Sequence, residues 1–93
     1  MAVMLITYDL NNPGQKYPAV HDAIKSAGTT WCHPLESTWL IVTSSSTGQV
    51  AQKLKAAGVD DNDSLLVVDV TRDDRNGWLP DEAANWIRVN WPG

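Results

Sequence analysis

The sequence predicts an α+β domain in which two helices pack on one face of a four-stranded antiparallel sheet. Apolar segments of strand length alternate along the chain with two segments of helical spacing. The two helical segments are also an internal repeat. Residues 20–28 and 50–58 share Val, a large aliphatic residue, Lys, Ala and Gly at an offset of 30. Each has a predicted strand before it and another after it.

The order strand–helix–strand–strand–helix–strand is the split βαβ arrangement of ferredoxin-like domains. Right-handed crossovers place both helices on one face of the sheet. The spatial order of the strands is then four, one, three, two. The chain has 93 residues, of which 43% are hydrophobic. This suits one small core, so we predict a single domain over 1–93, with its core in 2–70 and a C-terminal extension in 71–93.

The first strand is predicted over residues 2–10 and is apolar on both faces. Its alternation separates two sets of side chains, Val3, Leu5 and Thr7 on one side and Met4, Ile6 and Tyr8 on the other. Such a strand is central in its sheet or covered on both faces. A loop over 11–16 follows, with a turn cluster at 11–14. Pro18 suits the first turn of a helix, and Gly28 suits a left-handed stop.

The two halves of the repeat differ in the distance from strand to helix. From Thr7 to Val20 is thirteen positions, whereas from Thr43 to Val50 is seven. The loop after the first strand is therefore predicted to be about six residues longer than its counterpart. Extra loop length at a strand end is a common place for function.

The second and third strands are predicted as a hairpin over 29–34 and 36–43. Pro34 either ends the first of these strands or indicates an edge position, because proline lacks the N–H that a central strand needs. His33 is expected to be an ordinary strand residue, and His21 is expected on an exposed helix face.

The second half of the repeat has clear boundary signals. Ser46 or Thr47 is the expected N-cap of the second helix, and Gly58 is its expected stop. An acidic loop at 60–63 leads into a fourth strand over 64–70, again apolar on both faces.

The C-terminal extension begins with a polar connection over 71–77. Pro80 followed by Asp81 and Glu82 is typical of a helix start. We predict a short helix at about 81–89 whose apolar face consists of Ala83, Trp86, Ile87 and Trp91. The alternative is that part of this segment adds a strand to a partner's sheet.

Composition limits the classes of partner. The net charge is −4 and the chain has only seven Lys and Arg, which argues against non-specific binding to nucleic acid through charge alone. A single Cys permits no internal disulfide. No segment approaches the roughly 20 apolar residues of a membrane span, and no secretion signal is evident. We expect a cytoplasmic protein with no membrane partner.

Asp9, at the end of the first strand, is the leading candidate for chemistry. In the predicted strand order it lies beside the starts of the third strand, at Glu36 and Ser37, and of the fourth, after 60–63. Two such acidic edges across a dimer axis could hold a hard divalent cation such as Mg²⁺. The alternatives are that Asp9 caps the following loop, that 60–63 is a solvated turn, and that Glu36 is an exposed hairpin residue.

The same residues carry a family resemblance over about residues 3–70. An apolar strand ends in Tyr8-Asp9, and Ser37 is followed by the large apolar run 39–41. Asp63-Ser64-Leu65 then opens the fourth strand. This pattern resembles the small ferredoxin-like nuclease of CRISPR adaptation complexes and the VapD-like endoribonuclease toxins.

The resemblance implies a homodimer in which the two copies of Asp9 face each other across the axis. It implies metal-dependent cleavage of RNA or DNA, with Asp9 as the ligand of Mg²⁺ or Mn²⁺ and with Tyr8 and Ser37 as further catalytic residues. Members of these families carry several Arg and Lys in and before the first helix. This chain has Lys16 and Lys25 there.

Two other hypotheses follow from the low basic charge and from the fold. The first is a non-catalytic dimer module that binds a partner protein or nucleic acid through its sheet and the Trp-rich C-terminal segment. The second is a small-ligand regulatory domain with the loop at 11–16 as the ligand cap, because ferredoxin-like sheets serve many functions.

Overall fold

A computed structural model describes residues 1–11 and 13–92, and over 13–17 it describes the backbone only. It contains four strands and three helices. In chain order these are β1 (Ala2–Asp9), α1 (Pro13–Ala27), β2 (Thr30–Leu35), β3 (Thr38–Thr43), α2 (Thr47–Ala56), β4 (Ser64–Asp69) and α3 (Asp81–Asn90).

The strands form one antiparallel sheet in the order β2-β3-β1-β4. This is the predicted ferredoxin-like arrangement, which is confirmed. β1 lies between β3 and β4, so that Thr7 is opposite Thr38 on one side and Leu66 on the other. Pro34 lies in β2, an edge strand, and the register shifts between Cys32 and Leu35. The edge position predicted from Pro34 is therefore confirmed.

The main core lies between the sheet and the first two helices. Alternation along β1 turns Met4, Ile6 and Tyr8 toward this side, as predicted. The other buried members are contributed by α1, α2, β3 and the loops beside them, namely Leu10, Val20, Ile24, Trp39, Ile41, Val50, Leu54 and Val59. Tyr17 has helical spacing with Val20 and Ile24, which predicts it on the same face, but its side chain lies outside the described residues.

The helix α3 covers part of the opposite face of the sheet. Ala83 and Trp91 are buried in a second core against Val3, Cys32 and Leu40. The predicted C-terminal helix and its apolar face are therefore present. No added strand is formed by this segment in the described part of the chain.

Two indole hydrogen bonds and one arginine fix α3 in place. The Trp86 indole donates to the Thr30 hydroxyl at 3.0 Å, and the Trp91 indole donates to the Val70 carbonyl at 3.0 Å. The Arg75 guanidinium lies over the Trp91 ring, 4.1 Å from its centroid, and donates to the Trp91 carbonyl at 2.8 Å. The C-terminal segment is thus held by directional bonds as well as by apolar burial.

The predicted long loop at 11–16 is wrong, because α1 begins at Pro13. The connections β1–α1 (10–12) and β3–α2 (44–46) are both three residues long, and the extra length lies in α1, with 15 residues against 10 in α2. Pro13 serves as the first helical residue, where the missing N–H is harmless. Pro18 is inside the helix, where a proline normally costs about 3 kcal/mol. The burial of Val20 and Ile24 on the same helix offsets this cost. Asn12, part of that predicted loop, lies outside the described residues.

The start of β3 also differs from the prediction. Glu36 and Ser37 form a two-residue turn, and β3 begins at Thr38, because Leu35 and Thr38 pair and close the hairpin. β4 begins at Ser64, as predicted, and the acidic residues 60–63 belong to the loop before it. The Ser46 N-cap is confirmed: its hydroxyl accepts from the Gln49 N–H, and the Gln49 side chain accepts from the Ser46 N–H.

The two repeat glycines have different physical roles. Gly58 has a φ of 127° and ends α2 in the left-handed region, as predicted. Gly28 has no positive φ, so its predicted role as a left-handed stop is wrong. A Cβ on Gly28 would lie 2.6 Å from the Val42 carbonyl oxygen and 3.0 Å from the Ile41 Cβ. Gly28 is therefore needed where the end of α1 approaches β3.

None of the helices in the described part of the chain has both the length and the apolar character needed to cross a bilayer.

The sheet thus has a layer of two helices, α1 and α2, on one side and a partial layer, α3, on the other.

We predict that Gly28→Ala lowers the free energy of unfolding by about 1–3 kcal/mol, because the added methyl group meets fixed backbone. Denaturant unfolding followed by circular dichroism measures this. Gly77→Ala is the matched control. A Cβ at Gly77 has nothing within 4 Å, so its effect should stay within about 0.5 kcal/mol. Equal stability of the two variants would contradict the prediction.

Candidate functional site

Asp9 lies at the open end of the central strand, and its side chain is exposed. On one side it is opposite Ser64, the first residue of β4. On the other side the preceding N–H, that of Tyr8, donates to the Ser37 carbonyl at 3.1 Å. The structure therefore brings Asp9 next to the starts of β3 and β4, as the predicted strand order requires.

The Asp9 carboxylate is on the α3 side of the sheet. Strand alternation puts it on the same face as Thr7, whose hydroxyl lies 3.2 Å from that of Thr38 across the strand pair. Among the described residues, no side-chain hydrogen bond involves the Asp9 carboxylate. Loop capping by Asp9 is thus not seen in that part of the chain, and the carboxylate is accessible to a ligand.

Two carboxylates of the acidic loop accept backbone hydrogen bonds. Asp63 accepts from the Asn11 N–H at 2.6 Å and from the Asp60 N–H at 3.0 Å. Asp60 in turn accepts from the Asn62 N–H at 2.9 Å. These bonds tie the segment after β1 to the start of β4 and hold the shape of the loop. The interpretation of 60–63 as a turn is the one that these contacts favour.

The described residues of a single copy do not form a complete set of cation ligands together with Asp9. Within residues 1–11 and 13–92, no group of three or more His, Cys, Asp or Glu is arranged to hold a metal ion. Carboxylate oxygen suits Mg²⁺ or Mn²⁺, but Mg²⁺ takes six oxygen ligands, several of them waters. The donor chemistry of Asp9 fits such an ion, and the remaining ligands must come from water, substrate or a second copy.

Tyr8 is buried on the opposite face, in a network of aromatic and histidine side chains. Its hydroxyl accepts from the Trp39 indole at 3.0 Å and lies 3.1 Å from Nε2 of His21. His33 stacks on the Trp39 ring with centroids 3.9 Å apart, and its own Nε2 lies 2.9 Å from the Glu36 carbonyl oxygen. These contacts hold the end of β1 on the side of the sheet that α1 and α2 cover, so Tyr8 positions the strand that presents Asp9.

His21 is half-buried and bonded, which differs from the exposed position expected from sequence. Burial lowers the pKa of His21 below its usual 6.5, and the neighbouring His33 and Lys25 lower it further, against the opposing effect of Asp22. The lowered pKa favours the neutral imidazole.

Strand alternation in the sequence predicts one part of this network, the contact between Tyr8 and Trp39. Tyr8 and Trp39 both face the helices, on strands that the predicted order makes neighbours. His21 could not be added from pattern alone, since its approach depends on how α1 lies across the sheet. Ser37 contributes its carbonyl to Tyr8, and a catalytic role for its hydroxyl stays a prediction.

Comparison with known proteins adds no family assignment. Neither the scan of family models nor the search of curated proteins found a match to this chain. The resemblance of Tyr8-Asp9, Ser37 and Ser64 to ferredoxin-like nucleases therefore stays a prediction.

We predict that Tyr8→Phe lowers the free energy of unfolding by about 1–3 kcal/mol, because the buried Trp39 indole N–H loses its acceptor. Chemical denaturation of Tyr8→Phe, Trp39→Phe and the double variant forms a double-mutant cycle. The double variant should be less destabilised than the sum of the single variants, since both partners are then gone. Strict additivity would show that the bond contributes nothing.

The titration of His21 provides a second prediction. Its folded-state pKa lies below the unfolded value, so the unfolded chain binds more protons and stability falls as the pH drops below about 6.5. NMR titration of the His21 ring should give a pKa below 6.5. His33→Gln should raise that pKa and Asp22→Asn should lower it further, because these side chains act in opposite directions. A His21 pKa above 6.5 would contradict the assignment.

Proposed function

We propose that this chain is one subunit of a homodimeric, divalent-metal-dependent nuclease, similar to the CRISPR adaptation nuclease and the VapD-like endoribonucleases, that cleaves RNA or DNA through Asp9. The observation that carries the proposal is the exposed Asp9 carboxylate at the open end of the central strand. The residue before Asp9 on the same strand, Tyr8, is buried and hydrogen-bonded. A site on a rigid strand holds its geometry better than one on a loop.

The residues at this edge have distinct proposed roles. Asp9 binds and orients Mg²⁺ or Mn²⁺. When bound, such an ion neutralises charge on the phosphate oxygens and makes a water more acidic. The Ser37 hydroxyl, in the turn beside Asp9, is suited to donate a hydrogen bond to a phosphate oxygen. Tyr8 holds the strand end so that the two groups keep their spacing.

The homodimer is part of the proposal because one chain lacks a complete ligand set among its described residues. A second copy supplies a second Asp9, which doubles the carboxylate charge available to a cation. The acidic surface also limits the substrate. A chain with net charge −4 and seven Lys and Arg gains little from charge when it meets a duplex, so single-stranded RNA, with lower charge density, is the first substrate to test.

We predict that the dimeric wild-type protein cuts single-stranded RNA with Mg²⁺ or Mn²⁺ and that EDTA stops the reaction. Asp9→Asn should lose about 100-fold or more in rate, because the amide keeps the shape but removes the charge that binds the cation. Gel analysis of end-labelled RNA measures the cleavage, with single-stranded DNA as a parallel substrate.

Asp74→Asn is the matched control for this experiment. Asp74 is an exposed acid in the segment after β4, near Met1 at the other end of β1 from Asp9, so its removal changes the net charge by the same amount and should leave cleavage unchanged. Equal cutting by wild type and Asp9→Asn would point to a contaminating nuclease. No cutting of either substrate by the wild type would remove the nuclease proposal and favour the non-catalytic binding module.

A further inference from the structure

We propose that an exposed aromatic cluster between α1 and β2 binds a nucleotide of single-stranded RNA, whose base stacks on His33 and Trp31 and whose phosphate lies at Lys25. We call these three residues the stacking platform. They lie on the side of the sheet that α1 and α2 cover, whereas Asp9 lies on the α3 side. The choice of RNA as the ligand rests on the proposed function, but the binding of a base and a phosphate requires no cleavage.

Strand alternation places the two rings of the platform side by side. Trp31 and His33 are two residues apart on β2, so they share a face, and Cys32 between them faces the α3 side. Both rings contact Trp39, which is 1% exposed and belongs to the main core. The His33 and Trp39 centroids are 3.9 Å apart, and the Trp31 and Trp39 centroids are 5.3 Å apart. A buried indole therefore supports two exposed aromatic side chains.

The ring of His33 is held in one orientation. It is nearly parallel to the Trp39 ring, at 11°, and its Nε2 donates to the Glu36 carbonyl at 2.9 Å. The His21 centroid is 5.3 Å from that of His33 and 5.0 Å from that of Trp39, so His21 stands beside the stack. Because Trp39 covers one face of the exposed His33 ring, the other face is the one directed outward. A ring that is already fixed loses little freedom when a ligand stacks on it.

The charge around the platform favours a ligand that is both aromatic and negative. The Lys25 ammonium lies over the Trp31 ring, 4.8 Å from its centroid. After burial, the largest causes of the lowered pKa of His21 are the neighbouring His33 and Lys25, and the opposing effect of Asp22 is smaller. The potential beside the platform is therefore positive, although the chain carries a net charge of −4. A cationic ligand is repelled there, whereas a phosphate is attracted.

A nucleotide of an unpaired strand has both of the groups that the platform selects. Its base offers a flat aromatic face, which in a duplex is covered by neighbouring base pairs, and its phosphate carries the negative charge. Stacking of bases on aromatic side chains is how proteins hold single strands without reading their sequence. It also compensates for the small number of Lys and Arg, seven in the whole chain, which argues against binding through charge alone.

The platform lies at the same end of the sheet as the candidate site. β1 and β2 both pair with β3 in the antiparallel sense, so they run in the same direction. One strand separates them, which places them about 10 Å apart. Leu35, at the end of β2, is opposite Thr38, which is opposite Thr7, two residues before Asp9. The platform thus holds a nucleotide away from the cleaved bond, on the opposite face of the sheet.

Fluorescence anisotropy of a labelled single-stranded RNA, titrated with the full chain in EDTA, measures binding without cleavage. His33→Leu and His33→Phe form a matched pair, because both lose the bond to the Glu36 carbonyl and only Phe keeps a flat ring. We expect His33→Leu to bind about 10-fold more weakly or worse, and His33→Phe to bind nearly as the wild type does. Trp31→Leu should weaken binding, whereas Trp78→Leu, at a residue that is 98% exposed on the α3 side, should not.

Two further measurements separate the base from the phosphate. A strand with the same number of phosphates and no bases should bind the wild type about 10-fold more weakly than RNA does. Lys25→Ala should reduce the slope of log K against log salt concentration by about 0.7, the value for one phosphate contact on a single strand. Lys55→Ala, at an exposed lysine of α2, is the matched control and should leave the slope unchanged.

The inference is overturned if the wild type binds no single-stranded RNA, if His33→Leu and His33→Phe bind equally, or if the base-free strand binds as well as RNA. Circular dichroism shows whether each variant is folded, and the base-free strand needs no variant. Binding that depends on the platform, without cleavage, supports the subsite and removes the nuclease. Cleavage by a wild type whose RNA binding is insensitive to His33 and Trp31 keeps the nuclease and removes the subsite.

Discussion

The burial of β1 on both faces is the constraint on which the rest of the structure depends. β1 forms hydrogen bonds with β3 and β4 and contributes side chains to both cores. A strand in this position cannot shift by one residue, because every side chain would then change face. The register of β1 therefore also decides that Tyr8 points into the helical side and that Asp9 points to the other side, at the open end of the sheet.

The two faces of the sheet are covered to different extents. On the helical side, α1 and α2 enclose the core, and the bonds among Tyr8, Trp39 and His21 secure the strand end. On the other side, α3 covers only part of the sheet. The exposed Asp9 lies on this second side, so the proposed catalytic residue is on the less covered face of the sheet.

The strand order and the position of Asp9 could be predicted because both depend on local periodicity and chain connectivity. The split βαβ order leaves few topologies, and it places Asp9 beside Ser37 and Ser64. The length of the loop before α1 could not be predicted in the same way. Pro13 and Pro18 are both acceptable starts by local rules, and the choice between them depends on how much helix the sheet can bury. Gly28 was misassigned because a close approach between α1 and β3 leaves no local signature.

The sequence by itself determined the α+β class, the strand order, the α2 cap and the existence of a C-terminal helix, because each follows from short-range patterns and capping chemistry. Only the tertiary structure decided that α3 packs on its own sheet and that it covers only part of that face. It likewise decided that His21 and His33 meet around Trp39. These features join residues far apart in the chain, through the angles at which helices cross the sheet, and no local pattern encodes those angles.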